Sequence, residues 1–149
     1  MMRIGVLNGP NLNLLGHRQP IHYGTDTLAD IEDALREKSG TRGLELLFFQ
    51  SNDEGELVDW VQMKTEKVNG WLVNAAAFTH TSVALRDALA ASGRPFVEVH
   101  LSNVYAREPF RHHSVLSGLA IGVIAGFKSS SYLFGLEALA NHLEEHSTE

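Results

Sequence analysis

The sequence predicts an α/β fold built on a parallel sheet, and three features of the chain support this prediction. Five short apolar segments alternate with longer segments in which apolar residues recur at helical spacing, the order typical of strands joined by crossover helices. Several apolar segments are nearly continuous, as in strands covered on both faces. The length of 149 residues suits one domain with its own core. We therefore expect a single domain over residues 1–149, with a flavodoxin-like, doubly wound sheet of five parallel strands.

The predicted elements follow in order along the chain. The strands are the apolar segments at residues 3–7, 44–50, 70–74, 95–100 and 120–127. The helices are predicted at residues 27–40, 54–68, 82–91 and 132–146. Thr27 and Asp30 form a capping-box pattern at the start of the first helix, and Gly40 ends it. The last helix is expected to pass into a polar tail over about residues 144–149.

Two long connections remain between these elements. Residues 7–24 read LNGPNLNLLGHRQPIHYG and carry asparagine, proline and glycine where a short turn into a helix is expected. Residues 101–116 contain SNVYAREPFRHHS and have little helical periodicity. Long loops in compact α/β domains tend to be functional or disordered. Two such loops in so small a domain indicate a function.

Composition and missing motifs exclude several classes of function. The formal net charge of −6 argues against a nucleic-acid or anionic-membrane surface. The absence of cysteine excludes disulfides, iron–sulfur clusters and thiol nucleophiles. Neither a leader-like apolar start nor a membrane-length apolar segment is seen, so a cytoplasmic protein is expected. P-loop, dinucleotide and zinc motifs are lacking, and no lysine is placed for a Schiff base. We expect an acid–base enzyme without cofactor or metal.

Polar residues cluster where the predicted strands end, which is where open α/β sheets bind ligands. They are Asn8, Asn11, Gln50, Ser51, Asn52, Asn74, Glu98 and His100. Glu98 and His100 lie two positions apart on one strand and therefore share a face. A carboxylate beside an imidazole orients the ring and favours its protonated form, as a general acid requires. The same pattern also occurs in structural hydrogen-bonded pairs, and spacing alone leaves both readings open.

The first long loop carries Arg18 and Tyr23 close together. A free phenol is a poor base at neutral pH. A neighbouring guanidinium stabilises the phenolate, more so where a closed loop excludes water. The alternative is that Tyr23 is an anchoring aromatic residue and Arg18 a solvated charge.

Further polar groups follow the third and fourth predicted strands. His80 is either a ligand-binding donor or a simple turn residue. Arg107 and Arg111, in the second long loop, are candidate anion-binding groups because a guanidinium presents a rigid fork of donors. The backbone N–H groups of Leu101 and Ser102 are candidates for binding a carboxylate just past a strand end.

Four blocks of the sequence resemble the type II dehydroquinases, the type II 3-dehydroquinate dehydratases. They are LNGPNLNLLGHRQPIHYG, QSNDEGELVD, THTSVALRDAL and EVHLSNVYAREPFRHHS. The blocks occur in the family's order, and the likeness runs from about residue 4 to residue 143. The resemblance implies removal of water from 3-dehydroquinate to give 3-dehydroshikimate through an enolate, without metal, cofactor or Schiff base, in the shikimate or quinate pathway. It also implies a homo-oligomer, a dodecamer built of trimers.

The resemblance implies a catalytic role for five residues. Tyr23 would be the base that abstracts the proton, and Arg18 would activate Tyr23. The loop over about residues 16–24 would close as a lid. His100, oriented by Glu98, would protonate the departing hydroxyl. Asn11 would help to stabilise the enolate through water.

The resemblance also implies which residues hold the substrate. Its hydroxyl groups would be held by Asn74, His80 and Arg111, and its carboxylate by the backbone at Leu101 and Ser102. Asp87 would reach the site of a neighbouring subunit. Arg107 would support the lid through salt bridges.

The chain departs from the family pattern at a few positions. Ala75 and Ala76 stand where the family usually has proline and glycine, beside Asn74. Asp53 stands at a histidine position, and Lys128 where glycine is frequent. An alanine that replaces a glycine is strained if the position needs positive φ. The alternative function is therefore a binding or regulatory module that retains ligand affinity without catalysis. A third reading, a flavodoxin-like cofactor carrier, follows from fold analogy alone.

Overall fold

The computed structural model describes residues 1–147 and contains a five-stranded sheet with the strand order β2-β1-β3-β4-β5. The strands are β1 (Met2–Asn8), β2 (Leu44–Gln50), β3 (Gly70–Asn74), β4 (Phe96–His100) and β5 (Gly122–Ala125). Each neighbouring pair is parallel. This order confirms the flavodoxin-like, doubly wound sheet. It also places the switch in winding direction between β1 and β3, where ligands bind in such folds.

Helices and short turns connect the strands in the described part of the chain. The α-helices are α1 (Pro20–Tyr23), α2 (Leu28–Thr41), α3 (Glu54–Lys64), α4 (Val83–Ser92) and α5 (Ser130–His146). Single turns of 3₁₀ helix occupy Leu12–Leu14, Thr65–Lys67, Ala76–His80, Val104–Ala106 and Pro109–Arg111. None of the helices in residues 1–147 has the length and apolar character needed to cross a membrane.

Apolar side chains pack in two clusters, one on each face of the sheet. The cluster between the sheet and helices α2 and α5 includes Ile4, Val6, Leu35, Leu72 and Leu136. The cluster between the sheet and helices α3 and α4 includes Leu7, Trp60, Trp71, Leu85 and Leu89. Val6 and Leu7, adjacent on β1, belong to different clusters because successive strand residues face opposite sides. The central strands are therefore covered on both faces, as their continuous apolar segments predict. This packing holds their carboxyl ends in place.

Local capping signals agree with the helix starts. The Thr27 side chain accepts a hydrogen bond from the Asp30 N–H at 3.1 Å, and the Asp30 carboxylate accepts one from the Thr27 N–H at 3.0 Å. This confirms the predicted capping box. Ser82 caps α4 by accepting from the Leu85 N–H at 2.9 Å, and Asp53 caps α3 in the same way. The aspartate at position 53 therefore has a structural role at a helix start.

Three predicted boundaries are wrong. β5 covers Gly122–Ala125 rather than residues 120–127, because it is an edge strand and the chain turns at Gly126, whose φ is +100°. The helix predicted at residues 54–68, which is α3, ends at Lys64 and continues as a 3₁₀ turn over Thr65–Lys67. α5 begins at Ser130 rather than at residue 132, and it ends at His146 as predicted, within the predicted polar tail over about residues 144–149. The end of that tail, residues 148–149, lies outside the described residues.

Candidate active site

A cavity of about 130 Å³ lies at the carboxyl ends of the central strands, under both long loops. Nine of the residues predicted to form a site line it: Asn11, Arg18, Tyr23, Asn74, His80, His100, Leu101, Ser102 and Arg111. Arg107 and Val104 from the second long loop also line it, as does Ala76 from the turn after β3. The fold therefore gathers residues from three stretches of the sequence, residues 10–23, 74–80 and 100–111, into one site.

Two predicted residues do not line the cavity. Glu98 lies behind His100 and is bonded to it. Asp87 is exposed on α4 and has no place in this cavity. Its role at the site of a neighbouring subunit stays a prediction.

The Tyr23 hydroxyl group is contacted by two guanidinium groups. Arg107 Nη1 donates a hydrogen bond to Tyr23 Oη at 2.7 Å, and Arg18 Nη2 donates one at 3.4 Å. The central guanidinium carbons of Arg18 and Arg107 lie 4.6 Å and 5.1 Å from the centre of the tyrosine ring. Both contacts place positive charge beside the phenol oxygen. The sequence predicted the contact with Arg18. The shorter contact with Arg107 joins residues 84 positions apart, and no local pattern signals it.

The loop that carries Tyr23 is ordered rather than structureless. Its last turn is α1, which begins with Pro20, ends at Tyr23 and is capped by Gly24, where φ is +81°. The Gly24 N–H donates to the Pro20 carbonyl at 2.8 Å. Tyr23 is half-buried and packs against the core cluster of α2 and α5. A one-turn helix with a proline start and a glycine end therefore presents the phenol to the cavity.

His100 and Glu98 form a buried pair. His100 Nε2 lies 2.6 Å from Glu98 Oε2, and the Glu98 side chain is 1% exposed. Glu98 Oε1 accepts hydrogen bonds from Ser114 Oγ and Ser117 Oγ, each at 2.9 Å. Burial alone would raise the pKa of Glu98, but the hydrogen bonds and charge of His100 and the two serine hydroxyls outweigh it and lower that pKa. Nε2–H therefore donates to a carboxylate, and Nδ1 is the ring nitrogen that remains for a ligand.

His80 has a defined tautomer. Its Nδ1 lies 2.8 Å from the carbonyl oxygen of His113, which can only accept, so Nδ1 carries a proton. Burial lowers the pKa of His80, and the nearby His100 and Arg111 lower it further. A neutral ring with its proton on Nδ1 has Nε2 as a hydrogen-bond acceptor. His80 thus lines the cavity as an acceptor, rather than as the donor considered from sequence.

Asn74 is held from behind by a buried tyrosine. Asn74 Nδ2 donates to Tyr132 Oη at 3.0 Å, and Tyr132 Oη donates to Asn8 Oδ1 at 2.6 Å. The Asn74 side-chain oxygen accepts from the Ala76 N–H at 3.1 Å. Burial raises the pKa of Tyr132, which keeps the phenol neutral and able to donate. One amide hydrogen of Asn74 is left for a ligand. Sequence reasoning missed Tyr132, because a tyrosine on an apolar helix face reads as core.

The turn after β3 has the backbone conformation that makes alanine costly. Ala76 has φ of +51°, in the left-handed region where a Cβ atom is disfavoured. Ala75 is fully buried, and a Cβ at Gly9 would lie 2.2 Å from its carbonyl oxygen. Backbone segments after β1 and β3 therefore touch directly beneath the cavity. Alanine at position 76 therefore carries backbone strain that glycine would avoid.

The cavity carries positive charge although the chain is acidic overall. Arg18, Arg107 and Arg111 line it. Two carboxylates lie behind the lining residues without lining the cavity themselves: Glu98 is paired with His100, and Glu108 lies 3.2 Å from Arg111 and 3.8 Å from Arg107. Within residues 1–147, no group of three or more histidine, aspartate or glutamate side chains is placed to hold a metal ion. The site has the charge to bind a small anion such as a carboxylate.

Comparisons with known proteins give a consistent result. The family model for dehydroquinase class II matches residues 2–140. A protein from Azorhizobium caulinodans named 3-dehydroquinate dehydratase is 62% identical over 137 residues, which cover 92% of this chain and 92% of that protein. One of the same name from Vibrio parahaemolyticus is 58% identical over 142 residues, 95% of either chain. The crystal structure of type II dehydroquinase from Propionibacterium acnes superposes with a TM-score of 0.89 at 40% identity, covering 95% of this chain and 97% of that one.

Proposed function

The chain belongs to the class II dehydroquinase family, and we propose that it removes water from 3-dehydroquinate to give 3-dehydroshikimate, as a cofactor-free hydro-lyase of the shikimate or quinate pathway. The observation that carries the proposal is the Tyr23 phenol, held by Arg107 and Arg18 in the cavity that His100 also lines. A base and an acid of this kind are what an elimination next to a carbonyl requires.

Tyr23 is the proposed base. Its phenolate, stabilised by the two guanidinium groups, takes the proton from the carbon next to the substrate carbonyl. The electron pair moves onto the carbonyl oxygen and forms an enolate, whose charge must be met by a donor already in place. Asn11 lines the cavity and supplies this stabilisation through a water molecule. Closure of the loop over about residues 16–24 excludes bulk water from the step.

His100 is the proposed acid. The enolate collapses, the carbon–oxygen bond to the departing hydroxyl breaks, and His100 donates a proton from Nδ1 so that water leaves. The Glu98 carboxylate stabilises the imidazolium before this transfer and holds the ring through Nε2. The proton gained by Tyr23 and the proton lost by His100 balance, and exchange with solvent restores both groups.

Substrate binding follows from the remaining lining groups. The substrate carboxylate is placed at the backbone N–H groups of Leu101 and Ser102, within the positive field of the arginines. Its hydroxyl groups meet Arg111 and the free amide hydrogen of Asn74 as donors. His80 Nε2 accepts a hydrogen bond from a third hydroxyl.

We also propose a homo-oligomer, a dodecamer built of trimers. β5 is an edge strand, and large apolar side chains around it are exposed: Ile121 is 42%, Val123 46%, Phe127 60% and Phe134 53% exposed. An exposed apolar edge of this kind favours burial against another copy of the chain. Asp87, exposed on α4, is then free to reach the site of a neighbouring subunit.

The decisive experiment follows the conjugated enone absorbance after 3-dehydroquinate is added. The protein should turn over substrate with a chelator present and after borohydride treatment. Tyr23→Phe should lower kcat by at least about 100-fold, the lower range for loss of a general base. Tyr105→Phe, which changes an exposed tyrosine outside the cavity lining, is the matched control and should keep full activity. Folded protein that binds the substrate without converting it would refute catalysis in favour of a binding module.

A further inference from the structure

Residues 113–117, at the end of the second long loop, contact His80 directly and His100 through Glu98; we call this segment the 113–117 turn. The carbonyl of His113 accepts the Nδ1 proton of His80. The N–H of Val115 donates to the Thr79 carbonyl at 2.9 Å, which ties the turn to the segment that carries His80. The turn is therefore bonded to residues of the site although it does not line the cavity itself.

The same turn holds the Glu98 carboxylate. Ser114 Oγ accepts hydrogen bonds from the backbone N–H groups of Leu116 and Ser117, both at 3.0 Å. With its acceptor positions taken by these two donors, the Ser114 hydroxyl has its single proton for Glu98 Oε1. Ser117 Oγ donates to the same oxygen. The hydroxyl of Ser114 is thus oriented by the backbone of the turn itself.

The two serines and His100 divide the carboxylate between them. Oε1 takes both serine hydroxyls and Oε2 takes His100 Nε2. Fixing Oε1 from the turn sets the plane of the carboxylate, and the plane sets the direction in which Oε2 faces the imidazole. Hydrogen bonds from oriented donors to a charged acceptor are among the stronger ones in proteins.

We propose that Ser114 and Ser117 are positioning residues for His100: they hold Glu98 so that the imidazole presents Nδ1 to the substrate. The proposal rests on the proposed function, since the step it serves is protonation of the departing hydroxyl. Neither serine lines the cavity, so both act through Glu98 and His100. Through His100, the two serines would affect protonation of the departing hydroxyl group, and not binding of the substrate carboxylate or stabilisation of the enolate.

Removal of the Ser117 hydroxyl is the cleaner perturbation, because Ser114 also supports the backbone of the turn. The charged and titratable groups around Glu98 are His100 on its own strand and, beyond it, His80 with Arg111 beside it. None of these groups bonds to Ser117 Oγ, so removing this hydroxyl removes a hydrogen bond to Glu98 and to none of the other charged groups. With one donor lost, the lowered pKa of Glu98 rises toward its ordinary value. The ionised form of Glu98 is then lost at a higher pH than in the wild type.

The test compares Ser117→Ala with Ser117→Thr, which restores a hydroxyl, and with Ser130→Ala, a matched change of an exposed serine at the start of α5. Ser117→Ala should lower kcat about 10-fold, from loss of one hydrogen bond to a charged group, and leave KM within about twofold. The acid limb of its pH profile should move to higher pH. Ser117→Thr should recover kcat, and Ser130→Ala should match the wild type. Unchanged kcat and an unchanged acid limb in Ser117→Ala would overturn the proposal.

A second measurement separates this proposal from the proposed function. Ring-nitrogen NMR shifts of His100 at fixed pH report whether Nε2 carries the proton held by Glu98, whatever the enzyme turns over. The wild type should show one protonated Nε2 state, and Ser117→Ala should show averaged or shifted resonances. If the wild type fails to convert 3-dehydroquinate, the function is refuted while the NMR comparison still decides the role of the serines. If Ser117→Ala does not fold, Ser117→Cys, with similar shape and a weak donor, makes both comparisons.

Discussion

Replacement of Ala76 by glycine should relieve backbone strain beside the cavity that Ala76 lines. Ala76 has φ of +51°, and a left-handed conformation costs a residue with a Cβ atom about 1–2 kcal/mol. Glycine removes that cost but loses about 0.5–1 kcal/mol of its own, because it is more flexible in the unfolded chain. Ala76 is also half-buried against the core, so its methyl group contributes about 0.4 kcal/mol of burial, half of a buried methylene. The free energy of unfolding of Ala76→Gly should therefore equal or slightly exceed that of the wild type.

The neighbouring Ala77 provides the matched control. It lies in the same 3₁₀ turn, is exposed and has no positive φ. Ala77→Gly carries the same unfolded-state cost without any relief of strain, so it should destabilise by about 0.5–1 kcal/mol. The free energy of unfolding of Ala76→Gly should exceed that of Ala77→Gly by about 1 kcal/mol. This difference is the relief of the left-handed conformation, about 1–2 kcal/mol, less the lost burial of the methyl group.

The assay is urea unfolding of both variants at equal protein concentration, with melting temperatures measured alongside. A difference of about 1 kcal/mol corresponds to about 2–4 °C in a chain of this length. Equal destabilisation of the two variants would refute the assignment of strain to position 76. A gain of stability with a changed KM would further show that the strain is linked to the placement of Asn74, whose side chain accepts from the Ala76 N–H.

Two further predictions concern single contacts. Tyr132→Phe removes the hydroxyl group between Asn8 and Asn74. The variant should lose about 1–3 kcal/mol in its free energy of unfolding and should have a higher KM. A variant unchanged in both urea unfolding and KM would show that the phenol does not hold Asn74. Thr27→Ala breaks the capping box with Asp30 and should lower the free energy of unfolding by about 1 kcal/mol. Thr27→Ser keeps a capping hydroxyl and should keep the stability of the wild type. Equal loss of stability in both variants would contradict capping as the cause.

Much of the site was predictable because its signals are short-range. Glu98 and His100 share a face through the two-residue period of a strand, and the 2.6 Å contact confirms this. The capping box at Thr27 depends on a spacing of three residues, and the structure contains it. Parallel strands place their carboxyl ends at one edge, so Asn74 and His100 were expected at a common site and line one cavity.

Other features depended on contacts between distant parts of the chain. The position of Arg107 on the Tyr23 phenol requires both long loops to close over the same strand ends. The bond from Tyr132 to Asn8 joins residues 124 positions apart through the packing of α5 on the sheet. The predicted extent of β5 was wrong because apolar content alone does not distinguish a buried strand from an exposed edge.

The sequence by itself determined the five-strand α/β order, the helix starts and the set of polar residues at the strand ends, because periodicity and capping are properties of neighbouring residues. The tertiary structure alone decided which arginine lies nearest the phenol, which nitrogen of each imidazole is occupied, and which buried groups hold Asn74 and Glu98. These are matters of distance and direction between side chains that the chain brings together only when both faces of the sheet are packed.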